Sequence, residues 1–472
     1  MKKLQITNYK LQIVATISFL WLSHICTAQT PRDTGKYSFS LQQAIDFAMK
    51  TQLQLQNASY DEKIASEKVK ETVGIGLPQI SGSFDVKDFA DIPTTVLPDF
   101  ITPAVVGINQ GYFGLHPLFP YVAGDGMPVK FGTQYNASAG ISASQLLFSS
   151  DYLVGLQATK TYLDLTRKAT QRTKIDVSVG VTKAYYSVLI NNERIKTMDA
   201  NIERIKKLMD DTKALNENGF VEKIDVDRIT VTYNNLQVEK EKLQRLLGLG
   251  SSLLKFQMGM DQSATLALTD KLEDVKFQPD VAADKFDYGK RIEYSLFETQ
   301  KNIAQLDLKR NKMSYLPTAV LYGSASENAY RSQFDIFAKK PWYPTVVIGG
   351  TINVPIFDGL QKNYRIQQAK LNLLKADNNL KSVQQAIDME RASTQINLQN
   401  ASSTLDNQKK NIELAEEVYK VSKIKYEQGI GSNLEVTTAE TALKEAQTNY
   451  FSALFDALVA KVDYDKANGV IK

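Results

Sequence analysis

The stretch YEQGIGSNLEVTTAET, residues 426–441, decides how the chain is read. Gly429 and Gly431 break a helical pattern, because a helix end commonly needs a left-handed residue and glycine takes that conformation without a Cβ penalty. On the N-terminal side, Leu360 to Gln428 contains neither proline nor glycine. On the C-terminal side, a shorter helical pattern runs from Asn433 to Lys466. A very long helix, a glycine turn and a shorter antiparallel helix are predicted.

The same plan occurs earlier in the chain. A proline-free stretch from Asp151 to Asn216 ends at Asn218-Gly219-Phe220, and a helical pattern follows from Glu222 to Leu246. Each long helix could extend ~100 Å at 1.5 Å per residue. Apolar residues at Ile195, Met198, Ile202, Ile205 and Met209 follow coiled-coil spacing, as do Ile366, Ala369, Leu373, Ala376, Leu380, Val383 and Ile387. Between Glu390 and Gln399 that register weakens, and nothing in the local sequence accounts for it.

The repeat extends upstream to strand signals. Leu77-Pro78, Phe148 and Gly219 recur as Leu316-Pro317, Phe357 and Gly429, at separations of 239, 209 and 210 residues. The two later offsets agree within one residue, so the chain is one motif written twice, with a longer loop between the first pair of strands. Ser40 with Gln43 marks the capping-box start of a helix leading to the first strand.

Four segments alternate with period two. In ISGSFDVK, Ile80, Gly82, Phe84 and Val86 oppose Ser81, Ser83, Asp85 and Lys87, and Tyr135 to Ala143 behaves alike. Ala319, Leu321 and Ala325 face away from Thr318, Ser324 and Ser326, while Val346, Ile348, Ile352 and Val354 face away from Thr345, Thr351 and Asn353. Each segment has the ten-odd residues of a tilted membrane strand, within 77–90, 133–148, 316–329 and 344–357. An ordinary sheet with one wet face shows the same alternation. The export signal, the matched lengths and the lack of a helix with a comparable apolar face favour a barrel wall. Open strand edges cannot stand in lipid, and four strands are too few to close, so several copies are required; three would give twelve strands.

Residues 1–28 carry Lys2, Lys3 and Lys10, an apolar run from Leu11 to Leu22, and Cys26-Thr27-Ala28, the layout of an export signal. Its removal leaves 53 basic and 52 acidic side chains, a balance that does not suggest nucleic acid. The one cysteine, Cys26, leaves with the signal, so no disulfide or thiolate site is expected, and Ile25 before it argues against a lipid anchor. His116 alone survives of two histidines, which excludes a His-based triad or a multi-histidine metal site within one chain. Gly248-Leu249-Gly250 lacks the third glycine and the preceding strand of a dinucleotide loop. Neither an enzyme nor a cofactor is expected.

The domain plan is a signal at 1–28, a first repeat at 29–246, a connector at 247–290 packed outside the helical body, a second repeat at 291–466 and a tail at 467–472. Residues Asp88 to Phe131, with six prolines from Pro93 to Pro128 and many aromatics, form an ordered cap or collar in this reading. Trp342 and Tyr343 are candidates for an interfacial aromatic belt.

The stretches SLQQAIDFAMKTQ (40–52), LPQISGSF (77–84), LPTAVLYGSA (316–325), INVPIFDG (352–359) and YEQGIGSNLEVTTAET (426–441) resemble the TolC family of outer-membrane efflux proteins. The resemblance implies a mainly α chain with a membrane β-barrel: a homotrimer with a 12-stranded barrel in outer-membrane lipid and a 12-helix periplasmic tunnel. It implies helical tips, including Gly219, Phe220, Gly429, Ile430 and Gly431, that meet a periplasmic adaptor (membrane fusion) protein and an inner-membrane transporter. It also implies an acidic periplasmic gate, at Asp225 and Glu435 here; where some members have a second acid this chain has Thr438. Small-molecule efflux, heavy-metal efflux and type I protein secretion share that architecture. From another class, a periplasmic coiled-coil adaptor or scaffold would also carry a signal and long hairpins, but would not need four bilayer-length strands.

Overall fold

The computed structural model describes residues 35–97, 127–272 and 286–471. The expected export signal and the centre of the proline-rich loop, with His116, lie outside them. In chain order the elements are β1 (Lys36–Phe39), α1 (Leu41–Thr51), α2 (Leu53–Ile75), β2 (Gln79–Asp88), β3 (Thr94–Leu97), β4 (Met127–Lys130) and β5 (Tyr135–Phe148). Then come α3 (Ser150–Glu217), α4 (Lys223–Met258), β6 (Thr265–Leu268), α5 (Ile292–Met313), β7 (Thr318–Arg331), β8 (Tyr343–Asn353), α6 (Gln361–Glu427) and α7 (Asn433–Ala467). The chain divides into two compact units, one of residues up to 57, 171–290 and 387–472, the other of 58–170 and 291–386.

In the second unit, β2, β5, β7 and β8 form an antiparallel sheet in that order. Its helical segments are held by polar contacts: Lys301 Nζ donates to Asp377 Oδ1 (2.7 Å), Lys168 Nζ to Thr299 Oγ1 (2.7 Å) and Ser150 Oγ to the Met313 carbonyl (2.8 Å). The ends of the expected cap pair antiparallel as β3 and β4. The fourth strand stops at Asn353, short of Phe357, because Pro355 has no N–H for the ladder.

The first unit is helical. α1 begins as expected: Ser40 Oγ accepts from Gln43 N–H while the Gln43 side chain accepts from Ser40 N–H. The stripe Met198, Ile202, Ile205 of α3 is buried against Ile229, Leu236 and Leu243 of α4, Tyr419 of α6, and Val436 and Leu443 of α7. On α6 the register continues through the weak stretch: Ile387 and Leu398 are buried, and Arg391 and Thr394 occupy the steps between them. Arg391 Nε donates to Asn468 Oδ1 (3.0 Å) and its guanidinium lies 3.7 Å from the centre of the Phe286 ring. A polar side chain with its own partners fills an inward position there, so hydrophobicity alone loses the pattern.

The boundary expected at 246/247 falls inside a helix. α4 runs on through Gly248 and Gly250 to Met258. Leu254 and Met258, both fully buried, pack with Ala44, Ala48, Val181 and Tyr185, and burying them outweighs the ~1 kcal/mol that each helical glycine costs. The connector then adds β6, parallel to β1, and Leu254, Met258, Met260 and Ala264 join the core cluster, so residues 247–268 are anchored to the helical body rather than packed outside it. Residues 273–285 of the connector lie outside the described residues.

Candidate membrane wall and hairpin tips

The register of the four-stranded sheet sorts its residues onto two faces. Ile80, Ala143, Gly323 and Ile348 make one cross-sheet row, and Gly82, Ile141, Ala325 and Val346 the next. The opposite face carries Ser81, Ser142, Ser324 and Val347, then Ser83, Gly140, Ser326 and Thr345; Ser81 and Ser142 hydroxyls lie 2.8 Å apart. Away from the rim, where Ile336 and Trp342 cover Ala137 and Ala329, the sheet is bare: β2 is exposed at every residue, Ile348 is 82% exposed and Ile352 72%. Both edge strands, β2 and β8, present unpaired backbone. An apolar face this bare, on strands of 10 to 14 residues, suits a wall with lipid on one side and water on the other.

Trp342 packs against Ala137, Ala329 and Ile336 on the apolar side. Tyr343 is different. It pairs with Asn328 in the register of the polar face, and its ring lies 6.2 Å from that of Tyr330. Its place on the polar face does not fit a belt facing lipid, whereas Trp342 stands on the apolar side.

The two helical turns are the same structure 210 residues apart. α3 ends at Glu217 and α6 at Glu427; α4 starts at Lys223 and α7 at Asn433. Gly219 and Gly429 have φ of 76° and 75°. Phe220 N–H donates to the Leu215 carbonyl (2.9 Å) and Ile430 N–H to that of Lys425 (3.0 Å), the six-to-one closure of a Schellman end. Gly431, opposite Val221 in the first copy, has a different reason to be glycine: a Cβ there would stand 2.9 Å from Lys425 Cβ. Phe220 is 77% exposed and Ile430 75%, and Ile224 and Leu434 beside them are exposed too. The sequence reading missed Ile224 and Leu434, although the 210-residue offset relates them. The turns meet: Asn433 Nδ2 reaches the Asp225 carbonyl oxygen (3.5 Å), and Thr212 and Tyr426 hydroxyls lie 3.2 Å apart.

The two gate candidates are not equivalent. Asp225 accepts from Arg228 Nη1 at 3.1 Å. Glu435 is exposed, its backbone N–H is capped by Ser432 Oγ (3.2 Å), and Thr438 stands where Arg228 stands in the first copy. Asp225 is neutralised locally and Glu435 is not. No group of three or more metal-ligating side chains occurs among the described residues.

Residues 298–469 match the family model described as outer membrane efflux protein. The chain is 23% identical over 343 residues to the toluene efflux pump outer membrane protein TtgC of Pseudomonas putida, covering 71% of this chain and 69% of that one. Its fold matches the channel CusC with a TM-score of 0.71 at 14% identity, over 94% of this chain and 95% of that one. It matches the outer membrane protein VceC of Vibrio cholerae with 0.66 at 14%, over 91% and 96%. The fold is thus the one shared by CusC and VceC, residues 298–469 are similar to the outer membrane efflux protein family, and the TolC-like resemblance of the sequence is borne out.

Proposed function

We propose that this chain is one subunit of a trimeric exit duct in the outer membrane, through which a tripartite pump expels small molecules. The observation that carries the reading is the four-stranded sheet: apolar on one face, hydroxyl-rich on the other, bare over most of both, and open at β2 and β8. Edges facing lipid must be paired, so β2 of one copy meets β8 of the next, and three copies close twelve strands. The exposed apolar pairs Phe220 with Ile224 and Ile430 with Leu434 support adaptor docking at the tips. So does a groove of about 380 Å³ lined by Leu208, Leu215, Phe220 and Tyr426 with Lys207 and Lys423. TtgC is named for toluene efflux, and a small apolar cargo fits a duct that does no chemistry on what passes. The purified full chain should have the mass of a trimer in detergent and conduct ions in a planar bilayer; a closed, conducting monomer would overturn the reading.

A further inference from the structure

The apolar face of the wall meets its first charge at Glu327, with Val86, Ala137 and Ala329 forming the row beyond it. From the row of Ala319 and Ile352 up to Glu327, which pairs with Ala139 and Pro344, it carries no charged side chain among the described residues. Those eight residues span ~26 Å along a strand and somewhat less across a bilayer once the strand tilts. An ionised carboxylate is costly deeper in the hydrocarbon, so Glu327 marks the headgroup level. The β7–β8 loop, residues 332–342, lies beyond that mark and folds onto the same face. Ile336, 2% exposed, packs on Ala137 and Ala329, and the Phe334 ring meets Tyr135 edge-on at 5.5 Å.

The loop is built, not slack. Arg331, 6% exposed, donates from Nη2 to the Pro341 carbonyl and from Nη1 to that of Tyr330, each at 3.0 Å, and stands 3.5 Å from Asp335. Asp335 also pairs with Lys340. The one acid in the loop is therefore occupied, while Lys339 is exposed and has no ionic partner among the described residues. Held in this frame, Phe334 and Phe337 remain 66% and 86% exposed. Bare aromatics beside lysines at the edge of an apolar band have the composition of a lipid interface.

We propose that the β7–β8 loop is a lipid clasp: Phe334 and Phe337 lie in the headgroup interface at the rim of the wall, against the upper ends of the acyl chains, and Lys339 takes the phosphate of an anionic lipid headgroup. The inference rests on the sheet being a membrane wall. It is tested in the full-length chain carrying Trp21→Phe, so that Trp342 is the sole tryptophan, reconstituted in phosphatidylcholine vesicles with brominated acyl chains. Brominated lipid should quench Trp342. Brominated phosphatidylglycerol, added as a minor component, should quench as though enriched about fivefold at the loop, and Lys339→Gln should abolish that enrichment without loss of the trimer. Phe334→Ser with Phe337→Ser should reduce quenching by either lipid. A second reporter, Ile348→Trp in a Trp342→Phe chain, reads the wall itself. If Ile348→Trp is quenched and Trp342 is not, the loop is buried against protein and the clasp is wrong; equal quenching by the two lipids removes the headgroup contact. If neither reporter is quenched, the wall reading fails first.

Discussion

Arg204 Nη2 lies 3.7 Å from Glu440 Oε1, and Glu440 is only 1% exposed. The Arg204 guanidinium also stacks 5.3 Å from the Tyr419 ring and donates to Asn201, whose amide donates to Gln447 Oε1 at 2.7 Å. Helices α3, α6 and α7 thus share one polar knot in an apolar core. The 210-residue repeat does not contain it: the position related to Glu440 is Thr230, and that related to Arg204 is Leu414.

Burial raises the Glu440 carboxyl above its ordinary value of 4.5, against the pull of Arg204. Its folded value exceeds its unfolded one, so the stabilisation belongs to the protonated form: complete below about pH 4.5 and lost as pH rises through the folded value. Glu440→Gln should flatten the pH dependence of unfolding above pH 4.5. Arg204→Met should destabilise by about 3 kcal/mol at pH 7, the low end for a broken buried pair because Arg204 keeps a third of its side chain exposed. That penalty should shrink in acid. Denaturant melts across pH check both, and an Arg204→Met penalty independent of pH would separate the knot from Glu440.

At the turns, Gly219→Ala and Gly429→Ala should each cost about 1 kcal/mol, all of it from backbone strain, since a Cβ at either meets nothing within 4 Å. Gly431→Ala should cost more than its φ implies, because its Cβ would press on Lys425 Cβ and Tyr426 N. Thermal unfolding of the three variants ranks them. Cysteine cross-linking at positions 219 and 431 should capture a periplasmic adaptor, and capture only from the extracellular loops would invert the orientation.

In the proposed trimer, three copies of Glu435 and three Asp225–Arg228 pairs would form a ring whose field comes mainly from Glu435. Planar-bilayer recordings should show Glu435→Gln reducing cation selectivity and divalent block more than Asp225→Asn does. Arg228→Gln should raise cation selectivity by freeing Asp225. Equal effects of the two acid substitutions would mean that Arg228 does not shield Asp225 in the assembled mouth.

On the wall, Ile348→Arg places a charge at the middle of the apolar face and should cost roughly 2–4 kcal/mol of membrane stability. Thr345→Arg, on the polar face, should assemble normally and shift selectivity toward anions. Folding into vesicles, followed by heat-modifiable migration, distinguishes them.

Much of this was legible in the chain because local physics sets it. A missing proline over 66 residues permits one long helix, a glycine is needed where φ is positive, and period-two alternation survives in any register that keeps one face apolar. The 210-residue offset holds to the residue at both helix ends and both turns for that reason. What lay beyond the sequence depends on partners remote in the chain. Residues from 247 on read as a connector until Leu254 and Met258 find Ala44 and Ala48. Tyr343 reads as a belt residue until pairing with Asn328 turns it to the polar face. Asp225 and Glu435 read as equals until Arg228 is seen to neutralise one of them. Periodicity determined which elements form and which of their faces are apolar; only the packed structure decided which charges are paired and where a helix ends, because both turn on desolvation and contact between residues far apart in sequence.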